Sequence, residues 1–284
     1  MTSARRIRLV YNHASGSNDE EAHAELREAF AEAGLELVGE TCFPRDDTPG
    51  AQDLDAERVD TLAVFSGDGT LSSVVRGLDG WGGAVLVLPG GTMNMMARRM
   101  HGDATAPEII ARLVRGTANR ARPSVVRTRY ATGLTGILAG PGTAWAEVRE
   151  AMRDADVVEL VSTAKEAIAE SAGPSKVVCL DSDCGREEGY TAITITPQND
   201  GLEGAGYYAQ GILDYARHGL ALLQRDFRSG PHESLGRRPK MRIAALDGQP
   251  MGLLIDGEPY NGGVEEEFSL DKSSVDFWVT ADAR

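Results

Sequence analysis

At 284 residues, with 42% hydrophobic and 25% charged residues, the chain has a globular composition and the length of two packed domains rather than one. Its 29 basic and 43 acidic residues leave a net charge of −14, which excludes a general nucleic-acid binder, a function that needs a positive footprint. No run approaches the roughly 18 apolar residues of a membrane span, and the apolar run after Arg5 and Arg6 is too short for a signal peptide. A cytoplasmic protein is expected, meeting a membrane only peripherally, at its inner face.

Ile7, Leu9 and Tyr11 alternate with Arg8 and Val10, which predicts a first strand followed by a turn over 12–18. Ala22, Leu26, Phe30 and Ala33 recur at helical spacing with charges between them, so an amphipathic helix follows and stops at Gly34. A short second strand is read at 36–41. Residues 44–60 are acidic, broken by Pro44 and Pro49, and are expected to hold a loop and a short helix. The apolar runs 62–65 and 84–88 read as buried strands, each leading through a glycine-rich turn into a helix, 71–78 and 93–100. A further helix is expected over 107–115. Strands alternating with helices predict a doubly wound parallel sheet, in which ligands bind beyond the carboxyl ends of the strands.

The pattern changes at Arg122-Pro123. Beyond it lie short β-like runs at 124–130, 176–180, 190–196, 240–245, 252–255 and 274–279, with helical stretches near 143–170 and 211–227 and loops at 185–189 and 198–206. The fold class read from this is α/β: an N-terminal, doubly wound, parallel-sheet nucleotide-binding domain (1–122) and a C-terminal, mainly antiparallel, β-rich domain (123–284). Its last segment is a candidate to pack back on the first domain.

Cys42, Cys179 and Cys184 are odd in number and form no C-x-x-C, which points to a reducing compartment and to inert or partly buried thiols. Arg98, Arg99, Arg112, Arg115, Arg120, Arg122, Arg127 and Arg129 crowd one span. Such a run reads either as a solvated face with internal salt bridges or as a patch for anionic lipid or phosphate.

The turns at Ser66-Gly67-Asp68-Gly69-Thr70 and Pro89-Gly90-Gly91-Thr92-Met93-Asn94 carry the chemistry. Glycine between strand and helix lets backbone approach phosphate, and two helix N-termini aimed at one crevice offer free N–H groups and positive dipole ends. Thr70 and Thr92 add hydroxyl donors. No lysine follows a glycine, so a P-loop is excluded, and no G-x-G-x-x-G opens the first helix. Transfer of a phosphoryl group also needs a base for the attacking hydroxyl. The carboxylates placed for it are Asp68, in the first turn, and Asp256 with Glu258, where Asp256-Gly257 also reads as a hairpin turn.

Four ordered segments are similar to motifs of the diacylglycerol kinase catalytic-domain superfamily, which includes sphingosine and ceramide kinases and, more distantly, NAD kinases. They are Tyr11-Asn12-His13-Ala14-Ser15-Gly16, Ser66 to Leu71, Pro89 to Asn94 with Ala97-Arg98, and Ile255-Asp256-Gly257-Glu258. The resemblance implies ATP at Asn12, Ser15, Gly16, Thr41, Ser66, Gly67, Asp68, Gly69, Thr70, Thr92 and Asn94. It implies Asp256 or Asp68 as the base, and Glu258 in support of Mg²⁺ or the nucleotide. It implies a diacylglycerol-like or sphingoid/ceramide-like acceptor at a membrane surface, with contact through the Arg98 to Arg129 region. His13, Ser73, Met95 and Gln210 depart from the family pattern, the last three at positions where an acid is common. Asp200-Gly201 is the alternative counterpart for the Gln210 segment. Those losses keep a nucleotide- or lipid-binding module without turnover as an alternative, beside an NAD-kinase-like enzyme with a soluble acceptor.

Overall fold

The computed structural model describes residues 5–12, 20–141, 176–207 and 232–281. The chain divides into two compact units, Met1–Pro123 with Lys272–Arg284, and Ser124–Asp271.

In the first unit β1 (Arg6–Tyr11), β2 (Glu36–Cys42), β3 (Thr61–Ser66) and β4 (Ala84–Pro89) form parallel pairs. They are joined by β17 (Asp276–Val279) and β5 (Asn119–Ala121) in a six-stranded sheet of order β2-β1-β3-β4-β17-β5. Every residue of β3 is buried, as expected of a central strand in a sheet covered on both faces. One face packs Ile7, Leu9, Phe65, Leu86 and Leu88 against Leu26 and Phe30 of α1 (Glu20–Glu32) and Ile109, Ile110 and Leu113 of α5 (Ala106–Val114). The start of α5 is fixed by Thr105, whose backbone N–H donates to Glu108 Oε2 at 2.8 Å. A short helix, α2 (Ala51–Ala56), lies in the acidic stretch after β2.

The segment 274–279, grouped by its sequence with the second region but a candidate to pack back on the first, is inserted in the first unit's sheet. Its Asp276 and Phe277 pair in parallel with Ala84 and Val85, and Phe277 pairs antiparallel with Ala121. Trp278 anchors it, donating from Nε1 to Thr61 Oγ1 at 3.1 Å, with the Arg5 guanidinium 4.2 Å over the ring. The same segment closes over His101, which is 1% exposed and hydrogen-bonds through Nδ1 with Thr280 Oγ1 at 2.9 Å.

Burial, reinforced by the nearby Arg112 charge, pushes the His101 imidazole down to about 4 from its ordinary 6.5. The unfolded chain takes up this proton below about pH 6.5 and the folded chain only near pH 4, so the group's stabilising contribution is complete above 6.5 and lost as pH falls through 4. It is expected to account for roughly 3 kcal/mol between neutral pH and pH 4. Urea unfolding at pH 7 and pH 4.5 checks this: His101→Phe should lose visibly less stability on acidification than the wild type. Equal losses would show that His101 is not the titrating group.

The second unit holds two sheets. One has the order β12-β11-β10-β8-β14-β15, built from β8 (Ile137–Pro141), β10 (Ala192–Pro197), β11 (Leu202–Tyr207), β12 (His232–Arg238), β14 (Met251–Ile255) and β15 (Glu258–Asn261). The other has the order β7-β6-β16-β13-β9, from β6 (Ser124–Arg127), β7 (Thr132–Gly133), β9 (Val177–Cys179), β13 (Lys240–Ala245) and β16 (Glu265–Lys272). Ile195, Leu253 and Ile255 of the first share a core with Ile243, Met241 and Phe268 of the second.

The expected loop at 198–206 is mostly β11. Its glycines are packing devices rather than loop signals: a Cβ on Gly204 would meet the Met241 side chain, and one on Gly206 the Tyr190 ring. Cys179 and Cys184, expected as thiols, are joined in a disulfide, and Cys42 is the buried free cysteine among the described residues. The turn at 181–183, with Asp183 at φ 56°, returns the chain so that the two Cα atoms lie 5.6 Å apart. The predicted helices at 143–170 and 211–227 lie outside the described residues.

Candidate functional site

The two glycine turns leave adjacent parallel strands, β3 and β4, at their carboxyl ends and touch. A Cβ on Gly91 would overlap the Gly67 Cα and come within 3.0 Å of the Gly67 N, so Gly91 must lack a side chain for the turns to meet this closely. Helix α3 (Asp68–Arg76) starts earlier than its apolar pattern suggests, because Gly67 is extended (φ −78°, ψ 170°) and serves as its N-cap. That cap supplies no side-chain hydrogen bond. The first turn of α3 thus has the form of an anion site, backbone N–H groups at a glycine cap.

Helix α4 (Met95–His101) starts later than expected. Asn94 stands in the left-handed region at φ 50°, and its side chain closes a small loop: Oδ1 accepts from Gly91 N at 2.8 Å and Nδ2 donates to Gly91 O at 2.6 Å. The α4 N-terminus is filled by the chain itself. Met95 N and Met96 N donate to the two oxygens of Asp68, each at 2.9 Å. Of two helix ends expected to hold phosphate, one therefore holds a carboxylate, which the positive dipole end favours equally. Asp68 is the link that ties the second turn to the first. Asp68→Ala is expected to cost about 2 kcal/mol of stability, with Asp68→Asn intermediate because one acceptor remains. Thermal unfolding reads this directly, and an unchanged midpoint for Asp68→Ala would refute it.

Asn12, at the end of β1, joins the same region: its Nδ2 donates to Thr70 Oγ1 at 2.9 Å. Just before it, the Tyr11 ring packs 4.2 Å from the His23 ring, and His23 pairs with Glu40 at 3.3 Å. Ser66 is buried and its hydroxyl donates to Gly67 O at 3.1 Å. Thr92 is exposed. Asn12, Ser66, Gly67, Asp68, Gly69, Thr70, Thr92 and Asn94 thus belong to one set of loops. Thr41 does not present its hydroxyl in that way. It is 2% exposed, and its Oγ1 accepts from Arg8 Nε and Nη2 at 3.3 and 3.1 Å, while Arg8 pairs with Glu57. Ser15 and Gly16, with Gln210, lie outside the described residues.

In the second unit Asp256 and Gly257 both have positive φ, 50° and 85°, and turn β14 into β15, with Ile255 opposite Glu258. This is the two-residue hairpin geometry that Asp-Gly favours. The Asp256 side chain does something more. It is 9% exposed and accepts four hydrogen bonds from a segment 120 residues or more away. Leu134 N donates to Oδ2 at 2.7 Å; Thr135 N, Thr135 Oγ1 and Gly136 N donate to Oδ1 at 2.8, 2.7 and 3.2 Å. No sequence signal marked 134–136 as the partner. Glu258 is exposed beside the turn. Asp200, the alternative acidic position, is held by Arg237 at 2.7 Å.

The arginine-rich span is largely matched by acids of its own unit. Arg98 pairs with Asp103, Arg120 and Arg122 with Asp276, Arg127 with Asp271, and Arg129 with Glu266. Among the described residues no cluster of three or more His, Cys, Asp or Glu is gathered to hold a metal ion, and no helix is long and apolar enough to cross a membrane.

The family model for the diacylglycerol kinase catalytic domain matches residues 6–126. No curated protein matches the chain. Two solved structures of a candidate diacylglycerol kinase from Bacillus anthracis str. Sterne share the fold over 98% of this chain and 97–98% of theirs, with TM-scores of 0.59 and 0.61 at 14% and 15% identity. A further crystal structure of a diacylglycerol kinase from that organism covers 98% of both chains with a TM-score of 0.60 at 14% identity. The fold agrees in its N-terminal parallel sheet with helices and its antiparallel C-terminal sheets. Residues 6–126 thus match a diacylglycerol kinase catalytic domain, and the whole chain shares the fold of those structures.

Proposed function

We propose that the protein is an ATP-dependent lipid kinase acting on the hydroxyl of a diacylglycerol-like or sphingoid/ceramide-like acceptor. The observation that carries this reading is the contact of two glycine turns at the ends of adjacent buried strands, one of them opening a helix with no side-chain cap. Phosphoryl transfer is mainly a matter of positioning and charge, and such a cradle supplies both through backbone N–H groups. The proposal gives the triphosphate to Gly67, Gly69, Thr70, Thr92 and Asn12 of the first unit. Thr41, with its hydroxyl on Arg8, is given a supporting place in β2. Magnesium would enter with ATP and neutralise charge on its phosphates.

The proton acceptor is assigned to Asp256. Asp68 uses both oxygens to hold α4, whereas the Asp256 carboxylate is oriented by the backbone amides of Leu134, Thr135 and Gly136. The acceptor oxygen bonds to the γ-phosphorus, its proton passes to the Asp256 carboxylate, and the bond to the β-phosphate oxygen breaks to leave ADP. Membrane contact is given to exposed arginines such as Arg98 and Arg122. Their ion pairs are of the exposed kind, worth about 0–1 kcal/mol, so an anionic headgroup competes for them.

The experiment is transfer of label from γ-labelled ATP to a panel of diacylglycerols, sphingoid bases and ceramides in mixed vesicles. Label on at least one lipid is the expected result. A second reading, a binding module without turnover, is favoured by Ser73 and Met95 at common acid positions. ATP binding with no lipid labelled would establish it over the first.

A further inference from the structure

Glu266, on β16, is a buried acid that the reading above leaves unused. It is 3% exposed and lies on the same side of its strand as Phe268, in the core of the second unit. Its Oε1 accepts from the Tyr130 hydroxyl at 2.7 Å, from the Arg129 guanidinium and from the Gly263 amide. A carboxylate at such a place is tolerated only when it is well supplied with donors. Arg129 also lies 5.0 Å over the Tyr130 ring. Burial first, and then the bond to Glu266, raise the Tyr130 phenol, which therefore stays a donor at neutral pH.

The residues held by Glu266 are the near end of a short strap, 129–136, whose far end grips Asp256. Thr128 fixes the beginning of that strap: its hydroxyl accepts from Tyr130 N and Ala131 N, both at 3.0 Å, and donates to Ala131 O at 2.8 Å. Thr132 and Gly133 then pair with Arg127 and Val126 of β6. Gly133 packs so closely on Ile255, the residue before Asp256, that a Cβ there would lie 3.4 Å from Ile255 Cγ2. Leu134, Thr135 and Gly136 follow at once, with their amides on the Asp256 carboxylate. Only three residues separate Tyr130 from the first of these amides, and all are pinned.

We propose that Glu266 is a positioning residue for Asp256: by anchoring Tyr130 and Arg129 it holds the strap whose amides fix that carboxylate. The kinetic consequence rests on the kinase reading; the mechanical link does not. A group held through backbone amides is as well placed as those amides, and a small displacement of a reacting group is costly in rate.

The test uses the full-length protein with Tyr130→Phe, Glu266→Gln and Glu266→Leu, read by residue-resolved amide hydrogen exchange and by steady-state kinetics. Tyr130→Phe removes one hydroxyl from a half-buried side chain. It is expected to speed exchange at Leu134, Thr135 and Gly136 about tenfold, leave the strands of the other sheet unchanged, and lower kcat about tenfold with the KM for ATP unaltered. Glu266→Leu should do more, and Glu266→Gln, which keeps the acceptor oxygen, should return kcat to within about threefold of wild type. Unchanged exchange at 134–136 would overturn the proposal. So would equal acceleration across both sheets, which marks Glu266 as a general stabiliser. If the wild type labels no lipid, the kinase reading falls alone, because the exchange pattern still decides whether Glu266 holds the strap.

Discussion

Asp256→Asn is expected to lower kcat about 10²–10⁴-fold while the KM for ATP changes by no more than about threefold. Asparagine is the informative replacement because the position has φ 50°, a conformation that Asp and Asn adopt readily and alanine does not. The hairpin between β14 and β15 is therefore kept. The side-chain oxygen of asparagine can take the place of Oδ1 and accept from Thr135 and Gly136. Its NH₂ then faces the Leu134 amide, two donors at a place where the wild type has donor and acceptor at 2.7 Å. A stability loss of about 1–3 kcal/mol accompanies the kinetic loss for that reason. The two are separable: kinetics measured well below the unfolding midpoint report on chemistry alone. A variant with reduced stability and wild-type kcat would show that Asp256 is a latch for 134–136 and that the proton goes elsewhere.

Gly91→Ala and Gly67→Ala should differ sharply although the two glycines touch each other. A Cβ on Gly91 overlaps the Gly67 Cα, and the obstacle is backbone, which cannot swing aside as a side chain can. A Cβ on Gly67 meets the Gly91 Cα at 3.7 Å, an ordinary contact, at a φ of −78° that alanine accepts. Gly91→Ala must part the two turns and strain the bonds from Met95 and Met96 to Asp68. It is expected to cost about 1–3 kcal/mol and to weaken ATP binding tenfold or more. Gly67→Ala should stay within about 0.5 kcal/mol of wild type. Calorimetric titration with ATP and urea unfolding of both variants test this, and equal behaviour of the pair would remove the packed-turn cradle as the basis of binding.

The first unit was the more legible in the sequence because its central strands are apolar throughout. Runs such as Leu62 to Phe65 and Ala84 to Leu88 leave little choice but burial on both faces, and glycine turns after them define where helices begin. Pattern alone placed those helix starts two or three residues out. The true positions depend on the extended Gly67 and the left-handed Asn94, which hydrophobic spacing does not register. The role of Asp68 at α4 was invisible for a related reason: its partners are backbone amides, which carry no residue identity. In the second unit β16 escaped notice because Glu266 sits where an apolar residue would complete the alternation with Phe268. β11 escaped because Gly204 and Gly206 read as turn formers when they are spaces for Met241 and Tyr190. The strap at 134–136 has no side-chain signature for its main task, so its pairing with Asp256 emerges only in the fold.

The strand β17 gives the first unit a discontinuous chain. It lies between β4 and β5, so the sheet ends at β4 until residues 276–279 arrive, and Thr61 and Arg5 wait for Trp278. A fragment ending at Pro123 would leave the Ala84–Pro89 edge open and apolar, a template for self-association. On the ribosome the N-terminal sheet is made first yet completed last, after the whole of Ser124–Asp271 has emerged. Nascent chains of this protein therefore carry an unfinished sheet through most of translation, and a stop codon before Asp276 would abolish the half of the molecule farthest from it in sequence.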